Sequence, residues 1–259
     1  MSLKTTTGLV LSGGGYRGVA HIGVIKALEE HGVFPEVISG TSAGALVGAL
    51  YANGNSYQEM LEFFRKVKIF TLSRFSRRKP GFVDTDSFYD FLKGYFPHNK
   101  FEALQKKLFV TTTNLSAGEI TIFKKGELIP ALLASASFPG VFSPVTMDGV
   151  LYADGGILDN FPVAPLQNNC DIIYGVDVSP LKNMSSRRLN NFYNILERAY
   201  HLRMFHDSKQ KFAMCDVVIN PPELGKYSVF NNTHIDLIFD IGYRATCETL
   251  KSKPVERIT

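Results

Sequence analysis

The chain has 259 residues, 45% hydrophobic and 20% charged, a balance that suits a folded globular domain with a large core. A net charge of +4 is too small to point to nucleic acid. Three scattered cysteines, Cys170, Cys215 and Cys247, show no C-x-x-C spacing; they argue against a disulfide framework or zinc site and fit a reducing compartment.

The polar start, Met1 to Thr7, shows no secretory signal, and no apolar run approaches the roughly 20 residues of a membrane span. No repeat or low-complexity stretch divides the chain. One domain over residues 1–259 is expected, cytoplasmic and at most peripheral to a membrane. Gly8–Leu11 reads as a strand, Gly13–Gly18 as a glycine loop, and Val19 to about Glu30 as a helix stopped by His31-Gly32. A second strand, Val37-Ile38, completes a βαβ unit with parallel strands. A sharp turn and a helix of small apolar residues run to Asn53-Gly54.

Ser56-Tyr57-Gln58-Glu59 matches a capping box and opens a helix to about Lys68. Ile69–Phe82 mixes aromatics with Arg74, Arg77, Arg78 and Lys79, and reads either as a solvated loop or as a basic, apolar cover that touches an anionic bilayer. A helix from about Asp86 to Phe96 follows. Paired strands are expected over Leu108–Thr113 and Ile120–Phe123, a helix over Leu128–Ser137, and an apolar loop to Pro144. Val150–Ala153 is read as a strand that delivers Asp154-Gly155-Gly156. Asp159-Asn160-Phe161-Pro162 looks like a helix cap with proline in the first turn. Ile172–Val178 and Val217–Ile219 read as strands. Leu189, Phe192, Leu196, Ala199, Leu202 and Phe205 recur at helical spacing, as on a core-facing helix. Ile241–Ser252 closes the chain as a helix.

Two stretches carry chemistry. Gly40-Thr41-Ser42-Ala43-Gly44 matches G-x-S-x-G between a β-branched strand and a helix start. A serine projecting from such a turn needs a strained backbone, and glycines two residues either side relieve the crowding. The helix N-terminus behind it favours developing negative charge. The loop Gly13, Gly15 and Gly18 matches G-x-G-x-x-G, a dinucleotide-binding pattern. That pattern wants an acid after the second strand, whereas Glu36 precedes Val37-Ile38. The alternative reading makes the loop a set of backbone donors for an oxyanion. A serine nucleophile needs a base. His234 with Asp154 would satisfy a serine–acid–histidine order, yet each of the six histidines reads better as a surface or capping residue. Asp154, at a strand end before two glycines, is a direct base if burial raises its pKa.

Gly13-Gly14-Gly15-Tyr16-Arg17-Gly18, Gly40-Thr41-Ser42-Ala43-Gly44 and Asp154-Gly155-Gly156 occur in one order, supported by Ala134–Gly140 and Asp159–Pro162. In these stretches, from about Gly8 to Val178, the chain resembles patatin-like phospholipases of the small bacterial single-domain type. The resemblance implies a three-layer α/β/α fold with a mainly parallel sheet and hydrolysis of lipid acyl esters without a metal or other cofactor. It implies Ser42 as nucleophile and Asp154 as base, without histidine, and Gly14, Gly15 and Arg17 in the oxyanion loop. Gly18, Gly40, Gly44, Gly155 and Gly156 are the supporting motif positions. Expected partners are a lipid substrate and a transient membrane contact. An acyltransferase on the same serine, or a dinucleotide-binding oxidoreductase, are the alternatives.

Overall fold

A computed structural model of the chain describes residues 5–67, 85–181 and 183–252; the expected cover over Ile69–Phe82 lies outside them. In chain order the elements are β1 (Thr7–Leu11), α1 (Val19–Glu30), β2 (Val37–Thr41), α2 (Ala43–Ala52), α3 (Tyr57–Lys66) and α4 (Thr85–Tyr95). Then come β3 (Lys107–Asn114), β4 (Glu119–Phe123), α5 (Leu128–Ser135), β5 (Val145–Met147), β6 (Val150–Asp154) and α6 (Ala164–Gln167). The last third holds β7 (Ile172–Val176), α7 (Phe192–Lys211), β8 (Val217–Ile219) and α8 (Ile235–Ser252).

The strands form one sheet in the order β5-β6-β3-β2-β1-β7-β8, with β4 also paired to β3. Strands β3, β2, β1, β7 and β8 run parallel, whereas β4 and β6 are antiparallel to β3. Apolar residues alternate faces as a two-residue period requires. Leu9, Leu11, Ile38, Leu108 and Val110 face a thick helical layer of α1 to α5 and α8. Val10, Val37, Phe109 and Ile173 face a thinner layer holding Phe161, Val163 and Leu166, with Phe212 against it. Both faces of the sheet are therefore covered, the condition under which parallel strands are stable. The result is the expected three-layer α/β/α arrangement.

Burial explains why the local signals hold. The Ser56 capping box forms, with the Ser56 hydroxyl accepting from Glu59 N–H and the Glu59 carboxylate accepting from Ser56 N–H at 2.7 Å. Helices α1 and α8 cross with their backbones touching: a Cβ at Gly23 would overlap the Phe239 carbonyl, and one at Gly242 the Ala20 carbonyl. The C-terminal third is thus packed on the same core as the βαβ start.

Two expectations fail for identifiable reasons, and one strand lies outside them. Asp159–Pro162 starts no helix; α6 begins at Ala164. Asp159 Oδ1 instead accepts from the Phe161 N–H (3.2 Å) and pairs with Lys211 Nζ (2.7 Å), fixing a bend. Strand β5 was not anticipated, because its three residues are held only by pairing with β6. Helix α7 has the expected spacing but not the expected orientation. Phe192, Ile195 and Leu196 are 72%, 54% and 56% exposed, and Ala199 is exposed with them. Positions i, i+3, i+4 and i+7 thus form an apolar stripe that faces outward. The helix is anchored further along, by buried Met204 and Ser208 and by Lys211, which bridges Asp159 and Asp207 at 2.7 Å each.

Candidate active site

Strand β2 runs fully buried into a turn at Ser42, which has φ 54° and ψ −123°. A non-glycine residue at positive φ is held only where its surroundings over-determine it. Here the Ser42 N–H donates to Ser135 Oγ (2.8 Å), and that hydroxyl donates to the Thr111 carbonyl (2.7 Å). The Ser42 carbonyl accepts from Leu46 N–H in the first turn of α2. The flanking glycines are required by contact. A Cβ at Gly40 would lie 2.6 Å from the Gly44 carbonyl oxygen, and one at Gly44 would overlap the Leu11 carbonyl.

Strand β3 explains how Asp154 reaches this serine from 112 positions away. β2 and β4 both pair with β3 at Val110 and Thr111, so they occupy opposite edges. β4 and β6 both pair at Thr112 to Asn114, so they too are opposite. β2 and β6 therefore share one edge of β3, end to end. Thr41 stands opposite Thr111, and Asp154 stands opposite the next residue, Thr112. The sequence placed Asp154 at the end of a strand; the structure adds that this strand arrives antiparallel.

Asp154 is 2% exposed. Its N–H donates to Ser137 O (3.1 Å), its carbonyl accepts from Thr113 Oγ1 (3.0 Å), and its Oδ1 accepts from Gly156 N–H (2.7 Å). Burial raises its pKa to about 7, against the smaller lowering effects of the Gly156 N–H and of the nearby Ser42 hydroxyl. Gly155 sits against Thr111, where a Cβ would overlap the Thr111 carbonyl.

The glycine loop closes the third side. A Cβ at Gly13 would stand 3.2 Å from Ser42 Cβ and 2.5 Å from Asn160 Oδ1. The loop is fastened from the stretch after β7: the Gly13 carbonyl accepts from Ser179 Oγ (2.7 Å), and Ser12 Oγ accepts from Val178 N–H (2.9 Å). The Gly13 N–H is engaged by the Asn160 carbonyl at 3.2 Å, so it is not available as an oxyanion donor. Among the described residues, no protein acceptor takes the N–H of Gly14 or Gly15. Gly15 has φ +56°, and Gly18 packs on Ala43, where a Cβ would be 2.7 Å from the alanine's own. The Arg17 N–H donates to the Gly14 carbonyl (3.2 Å) and its Nε to the Tyr227 carbonyl (2.8 Å). Arg17 thus contributes a wall and loop support, not an amide aimed at Ser42.

The pocket holding Ser42 and Asp154 is narrow, about 30 Å³, and is also lined by Gly13 to Gly15, Asn160, Phe138, His201, Met204, Val229 and Phe230. Several of these were not singled out from sequence. Asn160 is 1% exposed, and neither its Nδ2 nor its Oδ1 has a hydrogen-bond partner among the described residues. An orphaned buried amide in a pocket is costly unless a ligand completes it. Only the sharp Asn-Phe-Pro bend could have hinted at it.

The histidines divide differently from the expectation of surface or capping roles. His31 does cap, its Nδ1 on Ala27 O (2.7 Å). His234 is exposed against the Tyr227 ring and lines no part of the pocket. His21 is fully buried, with Nε2 on Ser12 O at 2.9 Å. His201 lines the pocket, but among the described residues it makes no hydrogen bond to Ser42. Burial, then the Arg17 and Arg198 charges, lower its pKa to about 4 and keep it neutral.

Comparison with known proteins gives the family and the fold. The chain is 35% identical over 179 residues to lysophospholipase NTE1 of Scheffersomyces stipitis, a match covering 66% of this chain and 12% of that protein. It is 32% identical over 205 residues to the Coccidioides immitis protein of the same name, covering 74% and 13%. The chain therefore spans about an eighth of the length of these curated relatives. In fold it is similar to VipD from Legionella pneumophila, with TM-score 0.62 and 16% identity over 96% of this chain and 67% of that one. It is also similar to human GIVD cytosolic phospholipase A2, with TM-score 0.51 and 11% identity over 96% and 57%. The family model for patatin-like phospholipase matches residues 9–166, and the chain belongs to that family.

Proposed function

We propose that this chain hydrolyses carboxylic esters of lipids, as a phospholipase A or lysophospholipase, with Ser42 as nucleophile and Asp154 as its base. One observation carries the reading: a strained, strand-end serine and a buried carboxylate whose pKa is raised to about 7 line the same narrow pocket. A base near the working pH is half ionised there and still basic enough to take the serine proton. His201, at about 4, is much the weaker base, which favours the two-residue mechanism.

In the proposed reaction Ser42 Oγ attacks the ester carbonyl as its proton passes to Asp154. The Gly14 and Gly15 N–H groups, with the Asn160 amide beside them, hold the oxyanion. The alcohol leaves carrying the proton from Asp154. Water, deprotonated by the same carboxylate, then releases the fatty acid and restores Ser42. Transfer of the acyl group to another alcohol would use the same first half, and product composition separates the two outcomes. The "lysophospholipase" in the names of the relatives supports a lipid substrate. The outward stripe of Phe192, Ile195 and Leu196, on the helix that covers the pocket, supports delivery from a lipid surface.

The test is labelling with a fluorophosphonate and mapping of the adduct by mass spectrometry. The expected adduct is on Ser42, and Ser42→Ala should lose both the label and about 10⁴-fold or more of ester turnover while melting as the parent does. Labelling elsewhere, with turnover kept in Ser42→Ala, would overturn the assignment.

A further inference from the structure

A second cavity, of about 740 Å³, adjoins the catalytic pocket. The two share Ser179, His201, Met204 and Val229 as walls. Ser42 lines only the smaller space, so a ligand that spans both would place one end beside it. That volume is in the range of small-molecule sites.

The charged lining has one sign. Arg17, Arg187, Arg198 and Lys226 line the cavity, and among the described residues no aspartate or glutamate does. These four come from separate parts of the chain: the loop after β1, the turn before α7, α7 itself and the turn after β8. Arg17 and Arg198 are half-buried, and Arg187 and Lys226 are exposed. Ion pairs with carboxylates hold Lys26, Arg65, Lys66 and Lys211 elsewhere. Among the described residues no carboxylate pairs with Arg187, Arg198 or Lys226. Gathering like charges around one space costs free energy that an anion in that space offsets. The field is felt locally, since Arg17 and Arg198 both help to keep His201 neutral.

The polar lining completes the picture. Asn183, Asn190 and Asn194 add amide groups, which suit phosphate oxygens. A quaternary or primary ammonium would need a carboxylate or an aromatic cage. Among the described lining residues, Tyr227 is the one phenylalanine, tyrosine or tryptophan. A zwitterionic headgroup would satisfy the arginines with its phosphate but leave its ammonium among cations.

We infer that this cavity binds the phosphate of the substrate lipid's headgroup and selects net-anionic headgroups, such as a phosphomonoester, over zwitterionic ones such as phosphocholine. The inference rests on the ester-hydrolase reading for its consequence in turnover, but not for its consequence in binding.

The experiment compares short-chain, monomeric substrates of one acyl length, so that no charged interface intervenes. They are lysophosphatidic acid, lysophosphatidylcholine, monoacylglycerol and a p-nitrophenyl ester. The expected order of kcat/KM puts lysophosphatidic acid roughly tenfold or more above lysophosphatidylcholine. The double variant Arg187→Gln/Arg198→Gln should erase that ratio and leave p-nitrophenyl ester turnover within about twofold, while Arg198→Lys should restore part of the preference. Equal loss on all four substrates, or a parent that prefers lysophosphatidylcholine, would overturn it.

A binding arm uses Ser42→Ala and titrates lysophosphatidic acid and inorganic phosphate separately. Lysophosphatidic acid should bind the tighter, and the added Arg187→Gln/Arg198→Gln changes should weaken it. Equal affinity for inorganic phosphate would make this a free-phosphate site and overturn the headgroup assignment. If no ester is turned over but charge-dependent binding persists, the hydrolase reading fails and the cavity assignment stands.

Discussion

The edge of the sheet and helix α7 meet at the same pocket but are built on opposite terms. At the edge, Ser42 and Asp154 are 7% and 2% exposed; Ser42 is held by Ser135 Oγ and the Leu46 N–H, and Asp154 by Ser137, Thr113 and Gly156. Along α7, the half nearest the pocket mouth turns apolar residues outward and puts Asn194, Arg198 and His201 on the cavity side. Only its far half is locked down, through Met204, Ser208 and Lys211. The proposed chemistry falls to the buried part, and the proposed choice of substrate to the part that is open to solvent. Pre-organised groups at the reacting centre and adaptable ones around it are what differential binding asks for.

That division can be broken from either side. The sharpest attempt is Asp154→Asn, which should cost roughly 10³-fold in kcat/KM on every ester, soluble or lipid, if the base belongs to the sheet edge. In the parent, the base must be ionised, so kcat/KM should climb with pH and level off above about 7; Asp154→Asn should lose that limb. The linked stability has the opposite sign. A carboxyl whose pKa rises on folding stabilises the fold below its unfolded value near 3.8 and loses that contribution as pH rises through about 7. Asp154→Asn should therefore melt at or above the parent at pH 8. If His201→Gln removed activity and Asp154→Asn did not, the division would be wrong.

A smaller loss, about 10²-fold in kcat with KM little changed, is expected for Asn160→Ala, which removes one oxyanion-side amide. An effect confined to KM would make Asn160 a binding group instead. The smallest effect should come from the outer face of α7. Ile195→Asp with Leu196→Asp should reduce turnover of vesicle-borne lipid severalfold and leave a soluble ester unchanged. Equal loss on both would mean that the stripe supports the fold rather than a lipid surface.

Sequence patterning reached the sheet edge far more readily than it reached α7, for physical reasons. The strand-turn-helix around Ser42 and the glycine loop are local: backbone crowding at Gly40 and Gly44 leaves few residue choices, so the motif is visible in the chain. Asp154 was legible as a strand end. Its antiparallel approach was not, because pairing between β6 and β3 is a long-range event. The stripe on α7 illustrates the limit. Period 3.6 shows that a face is apolar, not where it points, and here the inward face had to be polar because it lines a cavity. Asn160 sat in a bend that reads as a helix cap, since the same residue types serve both. The Gly13 N–H was lost as a donor to a carbonyl that no linear pattern brings beside it.

The shared edge of β3 carries one more implication. It acts as a ruler whose divisions are peptide units, with Thr41 and Asp154 on adjacent marks. Their separation can change only in whole steps. A slip of β6 by a single residue would swing the carboxylate to the reverse side of the sheet. Ser42 directly follows Thr41, so such a slip would part the serine from the carboxylate.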